Sequence, residues 1–137
     1  SNAGIIITKE LTEKHKDNIK YFQSTEDKLK EEEKDLLSKK NVIKKEEFQD
    51  KIETLRKNAQ IYQEERKLKI DEITNKRSEA RQIILRAVQP ILTDYIKTNQ
   101  ISLIIDKKNI VIGKKDLEIT DAIVDELNKK LPSVNLN

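Results

Sequence analysis

Residues 5–37 contain no proline and no glycine, and from Phe22 onwards large apolar side chains recur at a spacing of seven, with Leu11 and Ile19 on the same side. This spacing draws one thin apolar strip along a helix, which is typical of a coiled-coil arm and not of a core helix. So narrow a strip needs a neighbouring helix for stability. The strip and its continuation comprise Leu11, Ile19, Phe22, Leu29, Leu36 and Ile43.

The pattern is interrupted at residues 38–41, Ser-Lys-Lys-Asn, where Ser and Asn favour a turn. A new apolar strip opens at Phe48 and continues through Ile52 towards Tyr62. Two helices joined by so short a break must run antiparallel. The sequence therefore predicts a helical hairpin with its tip near residues 38–45. Its second helix would reach about Thr98, a length of roughly 80 Å.

Two features of the second helix predict irregularity. The step from Tyr62 to Ile73 spans eleven residues, a stutter that locally unwinds a coiled coil, and Arg66 and Arg77 stand on the strip. Pro90 removes a backbone donor from the helix interior. We therefore predict a kink or break at residues 86–90.

Beyond residue 100 the apolar period changes to two. Two short runs rich in β-branched residues, 101–106 and 110–113, flank a turn and predict a strand pair. Thr120 is the predicted N-cap of a short helix over residues 121–130, which Pro132 ends. The predicted fold class is α+β: a long antiparallel helical hairpin on a small antiparallel sheet base with a short C-terminal helix. A lone strand pair is marginally stable, which predicts an oligomer.

Composition excludes several kinds of site. The two glycines, Gly4 and Gly113, cannot build a phosphate-binding loop or a dinucleotide fingerprint. His15 is the single histidine and cysteine is absent, so a His/Cys metal cluster, a disulfide and thiolate chemistry are excluded. No run of about 18 apolar residues is present that would span a membrane. The prediction is a protein that is not an enzyme and takes no cofactor.

Three segments divide the chain. Residues 1–3, Ser-Asn-Ala, are interpreted as a scar left by tag removal, so that the chain is expected to be truncated at its N-terminus. Residues 4–98 would form the arm, and residues 99–137 would form an oligomerisation base.

The last third also carries a resemblance. Ser102-Leu103-Ile104-Ile105-Asp106, then Asn109-Ile110-Val111-Ile112, then Leu117-Glu118-Ile119-Thr120-Asp121 follow the long hairpin in an order that resembles the Skp/OmpH family of periplasmic chaperones. The resemblance covers about residues 4–131. This sequence departs from the family by Glu118 in an otherwise Asp-Ile-Thr step and by the lack of a first strand.

The resemblance implies a homotrimer whose arms hold unfolded outer-membrane proteins without ATP, in the periplasm of a Gram-negative bacterium. Truncation of the first strand would impair the assembly. The residues expected to contact clients at the tip are Lys39, Lys40, Ile43, Lys44, Lys45 and Phe48. The residues expected to form the oligomerisation base are Ile101, Leu103, Ile105, Ile110, Val111, Ile112, Leu117 and Ile119.

Other partners stay open. Basic residues of the second helix would suit anionic lipid or lipopolysaccharide, a partner proposed for some family members, or would simply pair with acidic neighbours such as Glu72 and Glu79. Nucleic acid is not favoured, because basic residues are not segregated from acidic ones. A structural or adaptor coiled coil that binds one folded partner is the alternative function. The basic residues in question are Arg66, Lys67, Lys69, Lys76, Arg77, Arg81 and Arg86.

Overall fold

The computed structural model describes residues 1–136. Over these residues the chain forms three α-helices: α1 (Asn2–Ser38), α2 (Lys45–Thr98) and α3 (Thr120–Lys130). Two short 3-10 helices, Lys107–Asn109 and Lys115–Leu117, lie between α2 and α3. None of the described helices combines the length and apolar character needed to cross a bilayer.

The chain divides into two compact units. The hairpin unit comprises Leu11–Asn75, and the terminal unit comprises Ser1–Glu10 with the described residues from Lys76 onwards. Each has its own apolar contacts.

Within the hairpin unit, α1 and α2 run antiparallel. The Lys14 ammonium lies 2.5 Å from the Glu72 carboxylate, and the rings of Phe22 and Tyr62 lie 6.2 Å apart edge to face. As the contact position advances along α1, it recedes along α2, as an antiparallel pair requires. The buried apolar side chains of this unit are Leu11, Phe22, Leu36, Tyr62 and Ile73.

Within the terminal unit, the core is a cluster of Ile91, Ile123 and Leu127. α3 contributes Ile123 and Leu127 to this cluster, four residues apart on one face of the helix. The backbone N–H of Asn2 donates to Oδ1 of Asn128 at 2.8 Å, which connects the start of α1 to α3. The half-buried residues around the core are Ile84, Ala87, Val88, Leu92, Tyr95, Ile119 and Leu131.

The predicted α+β class is wrong. Residues 1–136 contain no strand and no sheet, so the described chain is all-α. Where the strand pair was expected, Asp106 caps a 3-10 helix: its Oδ1 accepts from the N–H of Lys108 at 3.1 Å, and Ile110 N–H donates to Lys107 O. A two-stranded ribbon gains little by itself in water, and the described chain offers its edges no third strand. A short capped turn, which satisfies its backbone locally, forms instead.

Two predictions about helix ends also need correction. α2 continues through Pro90, so the predicted break at residues 86–90 is wrong, while a kink there stays a prediction. Thr120 is the first residue of α3 and not its N-cap; Ile119 holds that position, without a side-chain cap. α2 itself ends at Thr98; beyond it, Gln100 adopts a left-handed φ of 53° and Ile101 N–H donates to Ile96 O at 3.0 Å. That bond closes the last turn, as in a Schellman motif.

Candidate functional site

The tip of the hairpin unit is the six-residue connection 39–44 between α1 and α2. Val42 N–H donates to Lys39 O at 2.9 Å, and Phe48 N–H donates to Lys44 O at 2.9 Å, so the connection is a tight turn leading directly into α2. The turn leaves the side chain of Val42 81% exposed. A compact tip of this kind presents side chains outwards at a fixed position.

The structure gathers most of the predicted client-contact residues into one groove of about 860 Å³. Ile43 and Phe48 are half-buried, while all four tip lysines are exposed. Lys39 and Lys44 stand outside the groove. The lining residues are Lys40, Asn41, Ile43, Lys45, Phe48, Gln49, Ile52, Glu53 and Arg56.

Ile52 and Arg56 were not among the predicted site residues. They follow Phe48 at one and two helical turns, so the spacing of four places all three on the same face of α2. That spacing was a signal available in the sequence. The spacing alone could not indicate that the turn before α2 forms the other wall of the groove.

The tip cations differ in their pairing. Lys39 lies 2.5 Å from Asp35, and Lys51 lies 2.9 Å from Glu47, each an i,i+4 pair within one helix or at its end. Over the described residues, Lys40, Lys45 and Arg56 form no ion pair. Three uncompensated cations therefore lie on the groove, and Lys44, outside it, is also without an ion pair among the described residues.

Half-way along the hairpin unit, an aromatic cluster joins α1 to α2. The Tyr62 hydroxyl donates to Glu26 at 2.6 Å, and Arg66 binds the same carboxylate at 2.8 Å while lying over the Phe22 ring at 5.5 Å. Burial raises the pKa of Tyr62, and the hydrogen bond to Glu26 adds to the effect. Arg66, which interrupts the apolar strip in the sequence, thus lies at the surface and covers the buried ring.

A second tyrosine contact lies beside this cluster. The Tyr21 hydroxyl donates to Glu65 at 2.6 Å, and the Lys69 ammonium lies 5.1 Å from the Tyr21 ring centroid. The hydrogen bond to Glu65 raises the pKa of Tyr21. These contacts pair charges across the two helices and hold aromatic rings between them, which favours a structural role for the cluster.

The basic residues of the second helix that were suggested for lipid contact differ from one another in their surroundings. Arg66 is engaged by Glu26 and the Phe22 ring, Lys69 lies near the Tyr21 ring, and Arg86 donates to Gln82 at 3.4 Å. Arg66 and Lys67 also line a smaller groove of about 250 Å³ with Ile70. The lipid contact is not tested by these observations and stays a prediction.

In the terminal unit, the predicted oligomerisation residues fall into two groups. Ile119 is half-buried against the core, and Ile101 is also half-buried. The remaining six are exposed large apolar side chains, of which Val111 (99%) and Ile112 (93%) are the extremes. This set of six is called the exposed apolar segment: Leu103, Ile105, Ile110, Val111, Ile112 and Leu117.

A comparison with family models decides the relationship of the chain. The model for the family described as outer membrane protein (OmpH-like) matches residues 1–127, which is most of the chain. The chain belongs to the OmpH-like family. The resemblance read from residues 102–121 is confirmed.

The fold of this OmpH-like chain is similar to that of a solved structure. A candidate outer membrane chaperone (OmpH-like) from Caulobacter crescentus CB15 matches with a TM-score of 0.88 and 18% sequence identity, covering 100% of this chain and 81% of that chain. Comparison with curated proteins finds no match. Membership of the OmpH-like family supports a chaperone role and implies a periplasmic location.

Proposed function

We propose that the OmpH-like chain is an ATP-independent holdase that binds unfolded outer-membrane proteins in the periplasm and keeps them from aggregating. The observation that carries the proposal is the match of the family model over residues 1–127. The name of the structural relative, an outer membrane chaperone candidate, points in the same direction.

The surface of the hairpin unit supports weak, distributed binding of an unfolded chain. Several large apolar side chains stand exposed along it, including Ile61 at 45%, Leu68 at 67% and Ile70 at 46%. Charged residues separate them, so they do not merge into a patch that would drive aggregation. Many such contacts, each weak, add up through multivalency when one long client touches several at once.

Self-association as a homotrimer is part of the proposal. The exposed apolar segment of the terminal unit supports it, because six large apolar side chains exposed within fifteen residues favour burial against another copy. A client enclosed by several copies would touch more of the weak contacts than one copy offers.

The proposal is tested by diluting a urea-unfolded outer-membrane β-barrel protein into buffer with the chain and no ATP while light scattering is followed. We expect scattering to be suppressed at about one trimer per client, since many weak contacts summed by multivalency hold the client. The triple variant Ile61→Ser, Leu68→Ser, Ile70→Ser should suppress it several-fold less effectively, because three exposed apolar side chains of α2 are lost.

A matched control replaces three exposed polar residues of the same helix, Lys57, Asn58 and Glu64, with serine, and should behave as the wild type does. Unchanged scattering with the wild-type chain at every ratio would overturn the proposal and favour the adaptor alternative. Circular dichroism checks that both variants keep their helices.

A further inference from the structure

The groove at the hairpin tip has an apolar floor. Phe48 and Ile52 stand one helical turn apart on α2, and Ile43 approaches from the turn; all three are half-buried. The volume of about 860 Å³ lies within the range of natural ligand pockets, about 300–1,000 Å³. It is large enough for a large apolar side chain together with its flanking backbone.

The rim of this groove is cationic and uncompensated. Lys40, Lys45 and Arg56 stand on it against a single carboxylate, Glu53. No ion pair reaches these three cations from the described residues, although Lys39 beside them is paired with Asp35. An apolar floor with free cations around it is complementary to an apolar group flanked by carboxylates.

We propose that the tip groove binds extended peptide segments in which an apolar residue has acidic residues two positions away. In an extended chain, side chains at i and i+2 point to the same side and lie about 7 Å apart. The apolar side chain would rest on Phe48 and Ile52, and the carboxylates would reach the rim cations. This inference rests on the proposed holdase function and specifies which client segments the tip selects.

The charge pattern also predicts discrimination. A basic segment of the same shape would bring like charges together at Lys40, Lys45 and Arg56, which disfavours it. The rim is exposed to solvent, so salt should weaken the preference. Selection would therefore act during the first encounter with a client, while the distributed apolar contacts of the hairpin unit would hold it afterwards.

The test measures fluorescence anisotropy of three labelled peptides titrated with the full chain at low salt. In the first peptide, two apolar residues alternate with two Glu residues, so that each apolar residue inside the peptide has Glu at both i−2 and i+2. The second peptide has Lys in place of Glu. The third has Ser in place of the apolar residues. We expect the first to bind about tenfold more tightly than either of the others, and the gap to narrow at high salt.

The groove is tested by the exposed double variant Lys45→Glu, Arg56→Glu, which should weaken the acidic peptide about tenfold. The matched control, Lys28→Glu with Lys57→Glu, makes the same change in net charge on exposed positions outside the groove and should change affinity less than twofold. Circular dichroism confirms that both retain their helices.

Equal binding of acidic and basic peptides, or equal losses in the two double variants, would overturn the inference. The inference would also be overturned if the groove variant lost binding to phosphatidylglycerol vesicles while its affinity for the acidic peptide stayed unchanged. That result would assign the groove to lipid. The light-scattering assay separates the two proposals. If the wild-type chain suppresses aggregation but shows no peptide preference, the holdase proposal stands and the groove proposal is wrong. If it prefers the acidic peptide but does not suppress aggregation, the groove proposal stands and the holdase proposal is wrong.

Discussion

Asn18 is a polar side chain placed inside the apolar strip of α1. It is 7% exposed, and among the described residues its Nδ2 has no hydrogen-bond partner. An unpaired buried donor costs about 1–3 kcal/mol. In coiled coils, a polar residue at such a position fixes register at a cost in stability. Asn18 is therefore expected to weaken the hairpin unit while helping to align its helices.

We predict that Asn18→Leu raises the free energy of unfolding by about 1–2 kcal/mol, because the unpaired donor is replaced by an apolar group of similar size. Thermal unfolding followed by circular dichroism measures the change. Ser24→Leu, at an exposed position of the same helix, is the control and should leave the midpoint nearly unchanged. A lower midpoint for Asn18→Leu would show that the amide has a stabilising partner.

Tyr62 gives the hairpin unit a dependence on alkaline pH. Burial raises its pKa above the ordinary 10.0, so the folded chain retains a proton that the unfolded chain has lost. The contribution of this hydroxyl to the free energy of unfolding is therefore complete below pH 10 and is lost as the pH rises through the folded-state pKa. The stabilising contact concerned is the hydrogen bond to Glu26.

Accordingly, Tyr62→Phe should cost about 1 kcal/mol at neutral pH through loss of that hydrogen bond. The gap between the wild type and the variant should shrink as the pH rises above 10 and through the folded-state pKa, because the tyrosine then ionises. Urea titrations at several pH values measure it. A gap that stays constant, or widens, across this range would contradict the assignment of the shift to Tyr62.

The second helix shows how an element tolerates a residue that disfavours it. Pro90 lies in its interior and is exposed, and its missing N–H deprives the Arg86 carbonyl of its helical donor. Directly after it in the chain, Ile91, Leu92 and Tyr95 pack in or against the core of the terminal unit. Burial of these side chains against α3 offsets the local cost, so the helix continues.

Replacing Pro90 with alanine should therefore stabilise α2, by up to about 3 kcal/mol. The thermal midpoint is expected to rise without any change in helix content. Thr93→Ala, an exposed position on the same turn, is the comparison. A fall in the midpoint for Pro90→Ala would mean that the proline imposes a geometry on which packing of the terminal unit depends.

The connection 101–117 shows the limit of reading elements from periodicity. The alternating apolar pattern and the β-branched residues of this segment are typical of a strand. A strand also needs a neighbouring strand with which its backbone can form hydrogen bonds. Such a partner is non-local, and the described chain does not supply one. Asp106 then satisfies the backbone of the following turn locally, which alternation gave no reason to expect.

At the level of the whole molecule, self-association is the property that this exposed segment should control. We predict that Val111→Asp with Ile112→Asp reduces the sedimenting species to a single 16.0 kDa chain. Both side chains are almost fully exposed, so the subunit fold should be unaffected. Burying carboxylates between copies is unfavourable, which is the reason for dissociation.

Analytical ultracentrifugation checks the expectation. Leu68→Asp, at an exposed apolar position of the hairpin unit, is the control and should leave the mass as it is in the wild type. A wild-type chain that sediments as a monomer would contradict the trimer itself. A double variant that retains the wild-type mass would place the contact between copies elsewhere.

What the sequence determined by itself is local. The long helices were predicted from the absence of glycine and proline over residues 5–37, the recurrence of apolar residues and the turn after Leu37. The apolar strip also predicted the buried Leu11, Phe22 and Leu36, because helical contacts join residues three, four and seven apart, but it was wrong for Ile19, which is 41% exposed. The residues that carry the family resemblance were equally readable, because their order in the chain needs no coordinates.

The tertiary structure decided what depends on contacts distant in sequence. It left residues 101–117 without strands, closed a groove between the turn and the first turns of α2, and paired Lys14 with Glu72 across the two helices. Strand pairing requires a partner edge, a groove requires two walls, and an ion pair requires two side chains to meet in space. These conditions are set by how the chain packs, so periodicity within a single segment could not predict them.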